Sequence, residues 1–287
     1  FLVGSVLTIA GLRTAGRAAP KRVSPNEKLN VAAIGAGGQG RGDISGMAEE
    51  NVVALCDVDW ERAADTFKKF PNARRYKDFR VMLDNEKLDA VIVSTPDHTH
   101  TVAALAAMQR GIHVRVQKPL AWSIAEARAL REAAHKYHVV TAMGNQGHAG
   151  DGVRQMCEIL WSNAIGPVRK AHIWTDRPIW DQSAIRKLPS VAVPEQLDWD
   201  LWLGPAPYRH YNPGYVPFSW RGWWEFGCGA LGDMACHIMD PANWALQLGT
   251  PTGVECVTLE GCSEETFPTR SVIKYEFPAR PFREKVD

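Results

Sequence analysis

From residue 29 to about residue 150, short apolar runs alternate with amphipathic stretches. Residues 29–34, 51–56, 89–94, 113–116 and 139–143 are apolar for four to six positions, the pattern of strands buried on both faces. Between them, residues 61–70, 101–110 and 123–137 repeat their apolar positions at three- and four-residue steps, as helices do. Alternation of this kind predicts a doubly wound parallel sheet with helices on both faces, an α/β domain.

The texture changes near residue 150. A helical pattern at 152–161 leads through Ile165-Gly166-Pro167 into 168–175, which alternates like a half-buried strand. Residues 177–226 are rich in Pro, Trp, Tyr and Gly and have little periodicity, as long functional loops do. A helical piece at 231–248 and strand-like stretches at 254–259 and 271–277 complete the pattern. The division expected is therefore a leader and linker at 1–28, a first domain at 29–150, and an α+β domain with a mostly antiparallel sheet at 151–287.

Two domains suit a chain of 287 residues. Lys and Arg total 33 against 32 for Asp and Glu, which gives no electrostatic reason to expect nucleic acid as a partner. Tryptophan is abundant at 11 residues, most of them between Trp161 and Trp244. Indoles in that number either stack on sugar faces or fill a core. The six cysteines form no CxxC pair, which argues against a zinc ribbon or a thioredoxin-type site, although Cys256 and Cys262 are close enough in sequence to bridge.

The segment FLVGSVLTIAGL at 1–12 is apolar but too short to span a bilayer, and Gly16-Arg17-Ala18 offers small residues for cleavage. It is similar to the tail of a twin-arginine export signal, which implies a periplasmic or otherwise exported protein with no membrane attachment once the signal is removed. A helix belonging to the fold, in a cytoplasmic protein, is the alternative.

The first strand runs directly into Gly35-Ala36-Gly37-Gly38-Gln39-Gly40, a G-x-G-x-x-G pattern in the strand–turn–helix context it requires. The glycines allow a tight turn, close approach to a pyrophosphate, and close packing of helix on strand, so the first domain reads as a Rossmann domain. The second strand ends in Asp57, at about the 20-residue spacing where an acid binds the ribose hydroxyls and repels a 2′-phosphate. That predicts NAD in preference to NADP. Asp57 and Asp59 are also equal candidates for capping the turn that follows.

Two more stretches lie where strands of the sheet end, Thr95-Pro96-Asp97-His98-Thr99-His100 and Gln117-Lys118-Pro119. Farther on, Asp233 and His237 stand at i and i+4, one helix face, where a carboxylate orients an imidazole and raises its basicity. Taken alone, that spacing also fits a helix-face pair or half of a metal site.

In this order, the glycine fingerprint, TPDHTH, Lys-Pro and Asp-x-x-x-His make the chain resemble the glucose–fructose oxidoreductase/inositol dehydrogenase/MocA (Gfo/Idh/MocA) family from about Asn30 to Gly249. Phrases such as GNQGHAGDGVRQM and GPAPYRHYNP look like an exported subgroup. The resemblance implies a nicotinamide-dependent oxidoreductase acting on CH–OH groups of a sugar, glycoside or polyol. NAD would be the cofactor, either tightly held or exchanged between turnovers, no metal would be used, and the second domain's sheet would mediate homo-oligomers. It assigns the acid/base role to His237, oriented by Asp233, with Lys118 stabilising charge on the reacting oxygen. Gly35, Gly37, Gly38, Gln39, Gly40, Asp57, Thr95, Pro96, His98, Gln117 and Lys118 would bind cofactor. His100, Lys118, Arg177, Trp220, Trp223, Trp224 and His237 would hold the sugar. Members typically carry Glu-Lys-Pro where this chain has Gln117-Lys118-Pro119, and beside such relatives the second domain reads as incomplete at its C-terminus. Two other activities share the resemblance: a glycosidase working by transient oxidation and elimination, and a binding protein that retains a nucleotide without turnover.

Overall fold

The computed structural model describes residues 27–182 and 188–279. The expected leader at 1–12 lies outside the described residues. Six strands form one parallel sheet in the order β3-β2-β1-β4-β5-β6. They are β1 (Asn30–Ile34), β2 (Asn51–Cys56), β3 (Arg74–Tyr76), β4 (Ala90–Val93), β5 (His113–Gln117) and β6 (Thr141–Gly144). The strand order reverses between β1 and β4, and ligands of open α/β sheets bind outside the carboxyl ends at such a point.

Apolar runs form these strands because both faces are covered. One face buries Ala32, Ile34, Val91, Val93, Val114 and Val116 beneath α4 (Asp97–Met108) and α5 (Ile124–Tyr137). The other buries Val31, Ala33, Leu55 and Ile92 beneath α1 (Gln39–Ser45) and α2 (Ala64–Lys69). α5 starts where Ser123 and Glu126 form a capping box, and ends at His138 in a left-handed conformation. β3 and α3 (Phe79–Asn85) escaped the sequence reading. Arg74-Arg75-Tyr76 is too short and polar to show periodicity.

The second half is held by an aromatic core. Trp199, Trp202, Tyr211, Tyr215, Trp220, Trp223 and Phe226 are buried together, with Trp199 stacked on Trp202 at 4.7 Å. Each such ring pair contributes about 0.5–1.5 kcal/mol beyond the area it buries. The long irregular segment thus contains its own core, together with α7 (Trp199–Leu203) and the 3-10 turn Ser219–Gly222.

The helix expected at 152–161 is α6 (Asp151–Trp161), which packs against α9 (Asp240–Leu246). The helical piece expected at 231–248 is two helices, α8 (Gly229–Ile238) and α9, because Pro241 cannot continue the ladder and instead begins a new turn. β7 (Gly253–Glu260) and β8 (Arg270–Glu276) form an antiparallel pair. The strand expected at 168–175 is a correction: among the described residues it joins no ladder, and alternation without a partner makes no strand. Cys256 and Cys262 are both free and exposed. No helix among the described residues is long and apolar enough to cross a membrane.

Candidate active site

The glycine turn between β1 and α1 is shaped for close backbone approach. A Cβ on Gly40 would lie 1.7 Å from the Gly35 carbonyl oxygen, so any side chain there would push α1 off the strand. Gly35 and Gly38 both adopt positive φ. Arg62 lies across the Gly37–Gly38 face, where a Cβ on Gly38 would come 2.5 Å from its Nη2.

Asp57 and Asp59, interchangeable in the sequence, have different places. Asp57 Oδ2 accepts the Gly37 N–H at 2.8 Å and Oδ1 accepts the Asp59 N–H at 2.9 Å. Asp59 Oδ1 accepts the Arg62 N–H and so caps the turn. Asp57 therefore braces the glycine loop itself, and burial pushes its carboxyl above the usual range. Gln39 points back along α1, where its amide donates to Asp43 Oδ1 at 3.2 Å.

At the carboxyl ends of β4, β5 and β6, polar side chains converge. Asp43 Oδ2 accepts from Ser94 Oγ at 2.7 Å and from Gln117 Nε2 at 2.7 Å, while its Oδ1 lies 3.3 Å from Arg115 Nη1. Gln117 Oε1 in turn accepts the Lys118 N–H at 3.2 Å and the Gln146 amide at 3.5 Å. Thr95 Oγ1 and Asn145 Oδ1 are buried with no hydrogen-bond partner among the described residues. Two orphaned polar atoms at the rim of this sheet, next to a turn that side chains would fill, fit a polar ligand such as the nicotinamide half of a dinucleotide.

Lys118 follows β5 and precedes Pro119 across a cis peptide bond. Its Nζ donates to Asp233 Oδ1 at 2.5 Å and to the Asp233 carbonyl at 3.1 Å. Arg221 reaches the same Oδ1 at 3.4 Å, its guanidinium lying over Trp220. Asp233 thus binds two cations, and no hydrogen bond joins it to His237 among the described residues. The expectation that Asp233 orients His237 is corrected: i and i+4 residues share a face, but the carboxylate turns toward the stronger charge partner. His237 is half-buried in the last turn of α8, and burial, then the Lys118 charge, holds its imidazole below the ordinary value.

Asp97, which the sequence reading passed over, is fully enclosed at the start of α4. Burial pushes its carboxyl up to about 7, partly offset by a hydrogen bond from the Cys228 thiol and by Arg221. Nothing in the spacing of TPDHTH distinguishes this acid from a surface one; its partners come from residues more than a hundred positions away.

Four expected ligands are placed elsewhere. His98 faces the carbonyl oxygens of Phe226 and Trp202 at 3.2 and 3.1 Å, and His100 faces those of Pro119 and Thr95 at 2.9 and 2.8 Å. Both rings are buried and burial holds both down at about 4, so neither presents a free nitrogen to cofactor or sugar. Trp220 and Trp223 belong to the aromatic core and have no open face for a sugar. Trp224 does keep a partly exposed face and packs on Phe267, and its carbonyl accepts the indole N–H of Trp122. Trp122, missed in the sequence, therefore borders the Lys118 loop with an exposed indole. Arg177 lies 4.0 Å from its neighbour Asp176, and no bond ties it to the Lys118–Asp233 pair among the described residues.

Residues 29–145 match the oxidoreductase family with an NAD-binding Rossmann fold, and residues 170–270 match that family's C-terminal alpha/beta domain. A D-apiose dehydrogenase of Paraburkholderia graminis is 30% identical over 202 residues, covering 70% of this chain and 44% of its own length. A D-glucoside 3-dehydrogenase of Escherichia coli K12 is 29% identical over 152 residues, covering 52% of this chain and 43% of its own. The chain spans about half the length of the curated relatives it matches. The crystal structure of GenD2 from gentamicin A biosynthesis, in complex with NAD, superposes with a TM-score of 0.61 at 22% identity, over 90% of this chain and 65% of that one, and shares the fold. By the sheet order, the glycine turn and both domain matches, the chain belongs to the Gfo/Idh/MocA oxidoreductase family.

Proposed function

We propose that this protein moves a hydride between NAD and a hydroxyl-bearing carbon of a sugar, glycoside or polyol. The observation that carries the reading is the Lys118–Asp233 pair, which joins the end of β5 to the helix bearing His237, while the adjoining Gln117 binds Asp43 of the helix that follows the glycine turn. The names of the D-apiose and D-glucoside relatives support the substrate class.

Gly35, Gly37, Gly38, Gln39 and Gly40 would hold the pyrophosphate and Asp57 the adenosine ribose, which favours NAD over NADP. Thr95, Pro96 and Gln117 would border the nicotinamide, and when bound the cofactor supplies the hydride-accepting carbon. In the oxidation direction His237 takes the proton of the substrate hydroxyl. The Lys118 ammonium faces the same oxygen and stabilises the negative charge that develops there. Asp233, itself met by Arg221, holds that ammonium in place, while Trp122 and Trp224 offer apolar faces to the sugar ring.

The test is to purify the protein without added nucleotide, release what it holds by denaturation, and identify it by mass spectrometry. NADH formation is then followed with D-apiose, myo-inositol and methyl β-D-glucoside. Bound NAD(H), with NADH formed from at least one sugar or polyol, is the expected result; bound NADP(H), or no hydride transfer from any of them, overturns the reading.

A further inference from the structure

Beyond Asp57 the chain leaves the parallel sheet, since β2 ends at Cys56. The Asp57 carboxylate is aimed by backbone groups on either side of it, the N–H of Gly37 at 2.8 Å and that of Asp59 at 2.9 Å. Its own N–H donates to the Tyr76 carbonyl at 3.0 Å. The three residues that follow are also tied to the second half of the chain. Asp59 stands opposite Leu197 in an isolated antiparallel bridge. On either side of that bridge, the Asp198 N–H donates to the Val58 carbonyl at 2.9 Å and the Trp60 N–H to the Gln196 carbonyl at 3.4 Å. Val58 packs against the aromatic cluster in which Leu197 is buried.

Asp59 is thus fixed twice. Its N–H is bound to the Asp57 carboxylate, and its backbone lies against Leu197. Movement of the turn at 58–60 would carry that N–H away and let the carboxylate swing. A displacement of about 1 Å can cost a positioned group on the order of 100-fold in effect.

We propose that Leu197 is a positioning residue for cofactor choice: it anchors the turn at 58–60 to the aromatic core and so holds the Asp57 carboxylate where it meets the ribose hydroxyls and repels a 2′-phosphate. The inference rests on the assignment of Asp57 above. Leu197 acts through the turn and not by touching the nucleotide. When the carboxylate swings away, its hydrogen bonds to the ribose weaken and its repulsion of a phosphate falls with distance. NADH affinity then drops while NADPH affinity rises. A merely structural role would lower the melting temperature and leave the ratio of the two affinities alone.

The experiment titrates NADH and NADPH by fluorescence into the wild type, Leu197→Ala, Asp57→Asn and the double variant. The ratio of the NADPH to the NADH dissociation constant is expected to fall about tenfold in Leu197→Ala, the scale of one hydrogen bond, and further in Asp57→Asn. Leu197→Met keeps the bulk of the side chain and is expected to retain the wild-type ratio. In the Asp57→Asn background Leu197→Ala is expected to add nothing, because its effect passes through the carboxylate. An unchanged ratio in Leu197→Ala overturns the proposal, and so does an equal fall with and without the Asp57 carboxylate. If Leu197→Ala does not fold, Val58→Ala loosens the same contact from its other side and decides by the same criterion. A ratio that Asp57→Asn itself leaves untouched overturns the ribose assignment, and the proposal with it. A ratio that responds to Asp57→Asn alone overturns only the role of Leu197.

Discussion

Lys118 Nζ stands 2.5 Å from Oδ1 of Asp233, across 115 positions of sequence, and contacts the carbonyl of the same residue. The lysine is thereby held by a helix of the second half while its backbone belongs to the sheet of the first. Both members are largely buried, so the pair is not a screened surface contact. Replacing Asp233 with Asn keeps the shape and removes the charge. Turnover on the best sugar is expected to fall about 100-fold, the scale of a lost preorganised charge contact, while NADH affinity changes by less than about threefold. Steady-state kinetics and NADH fluorescence titration check this. Unchanged turnover removes the pair from the mechanism.

The imidazole of His237 is held below its ordinary value by burial and then by the charge of Lys118. Only the neutral ring accepts a proton, so in the oxidation direction the acid limb of kcat/KM is expected below the usual histidine range near about 6.5. Lys118→Gln removes the charge that depresses it, and the limb should then move to higher pH, alongside a lower overall rate. A limb that stays put, or moves to lower pH, contradicts the assignment.

How much of this was readable in the sequence follows the distance over which each feature is determined. The turn from Ile34 through Gly40, and Asp57 at the end of β2, lie close in sequence: Gly40 meets the Gly35 carbonyl, and Gly37 and Gly38 meet Arg62, five positions beyond Asp57. The partners of Lys118, His98 and Asp97 are contributed from residues 202–233, which no spacing rule connects to them. TPDHTH marked the right place and assigned its two histidines the wrong work, because a motif shows where a strand ends but not which side chains face inward. The tryptophans were ambiguous for a similar reason. Composition counts indoles, whereas packing decides that Trp220 and Trp223 are enclosed and Trp122 is not.

Gln117 carries no charge, and the carboxylate beside it comes from Asp43 on α1. Gln117 donates to Asp43 Oδ2 at 2.7 Å. Gln117→Glu would set two buried carboxylates against each other, with an expected loss of about 2 kcal/mol and weaker NADH binding. The double variant Asp43→Asn with Gln117→Glu exchanges donor and acceptor and is expected to recover most of both. Thermal melting and NADH titration over the four proteins yield the coupling. Additive losses would show that the two side chains act independently.

Acid stability has a sign set by three buried groups. His98 and His100 are held at about 4, and Asp97 is raised to about 7. Depressed histidines contribute stability that is present above about 6.5 and lost as pH falls toward 4. The raised aspartate contributes in the opposite sense, its share being lost as pH rises toward 7. Between about 6.5 and 4 the unfolded chain therefore binds a net one proton more, and stability should fall by roughly 1.4 kcal/mol per pH unit on acidification. Denaturant titrations across that range measure the slope. His98→Gln removes one of the two opposing histidines and should flatten the slope toward zero, whereas an unaltered slope would rule out His98 as a contributor.

His98 also ties the chain together in time. Its two ring nitrogens are met by carbonyls of Trp202 and Phe226, which emerge from the ribosome after all six strands of the parallel sheet. Until Trp202 and Phe226 have been made, His98 in the first turn of α4 lacks both the carbonyls and the rings that enclose it. The nucleotide-binding half thus cannot complete the contacts of His98 before the aromatic core has been synthesised.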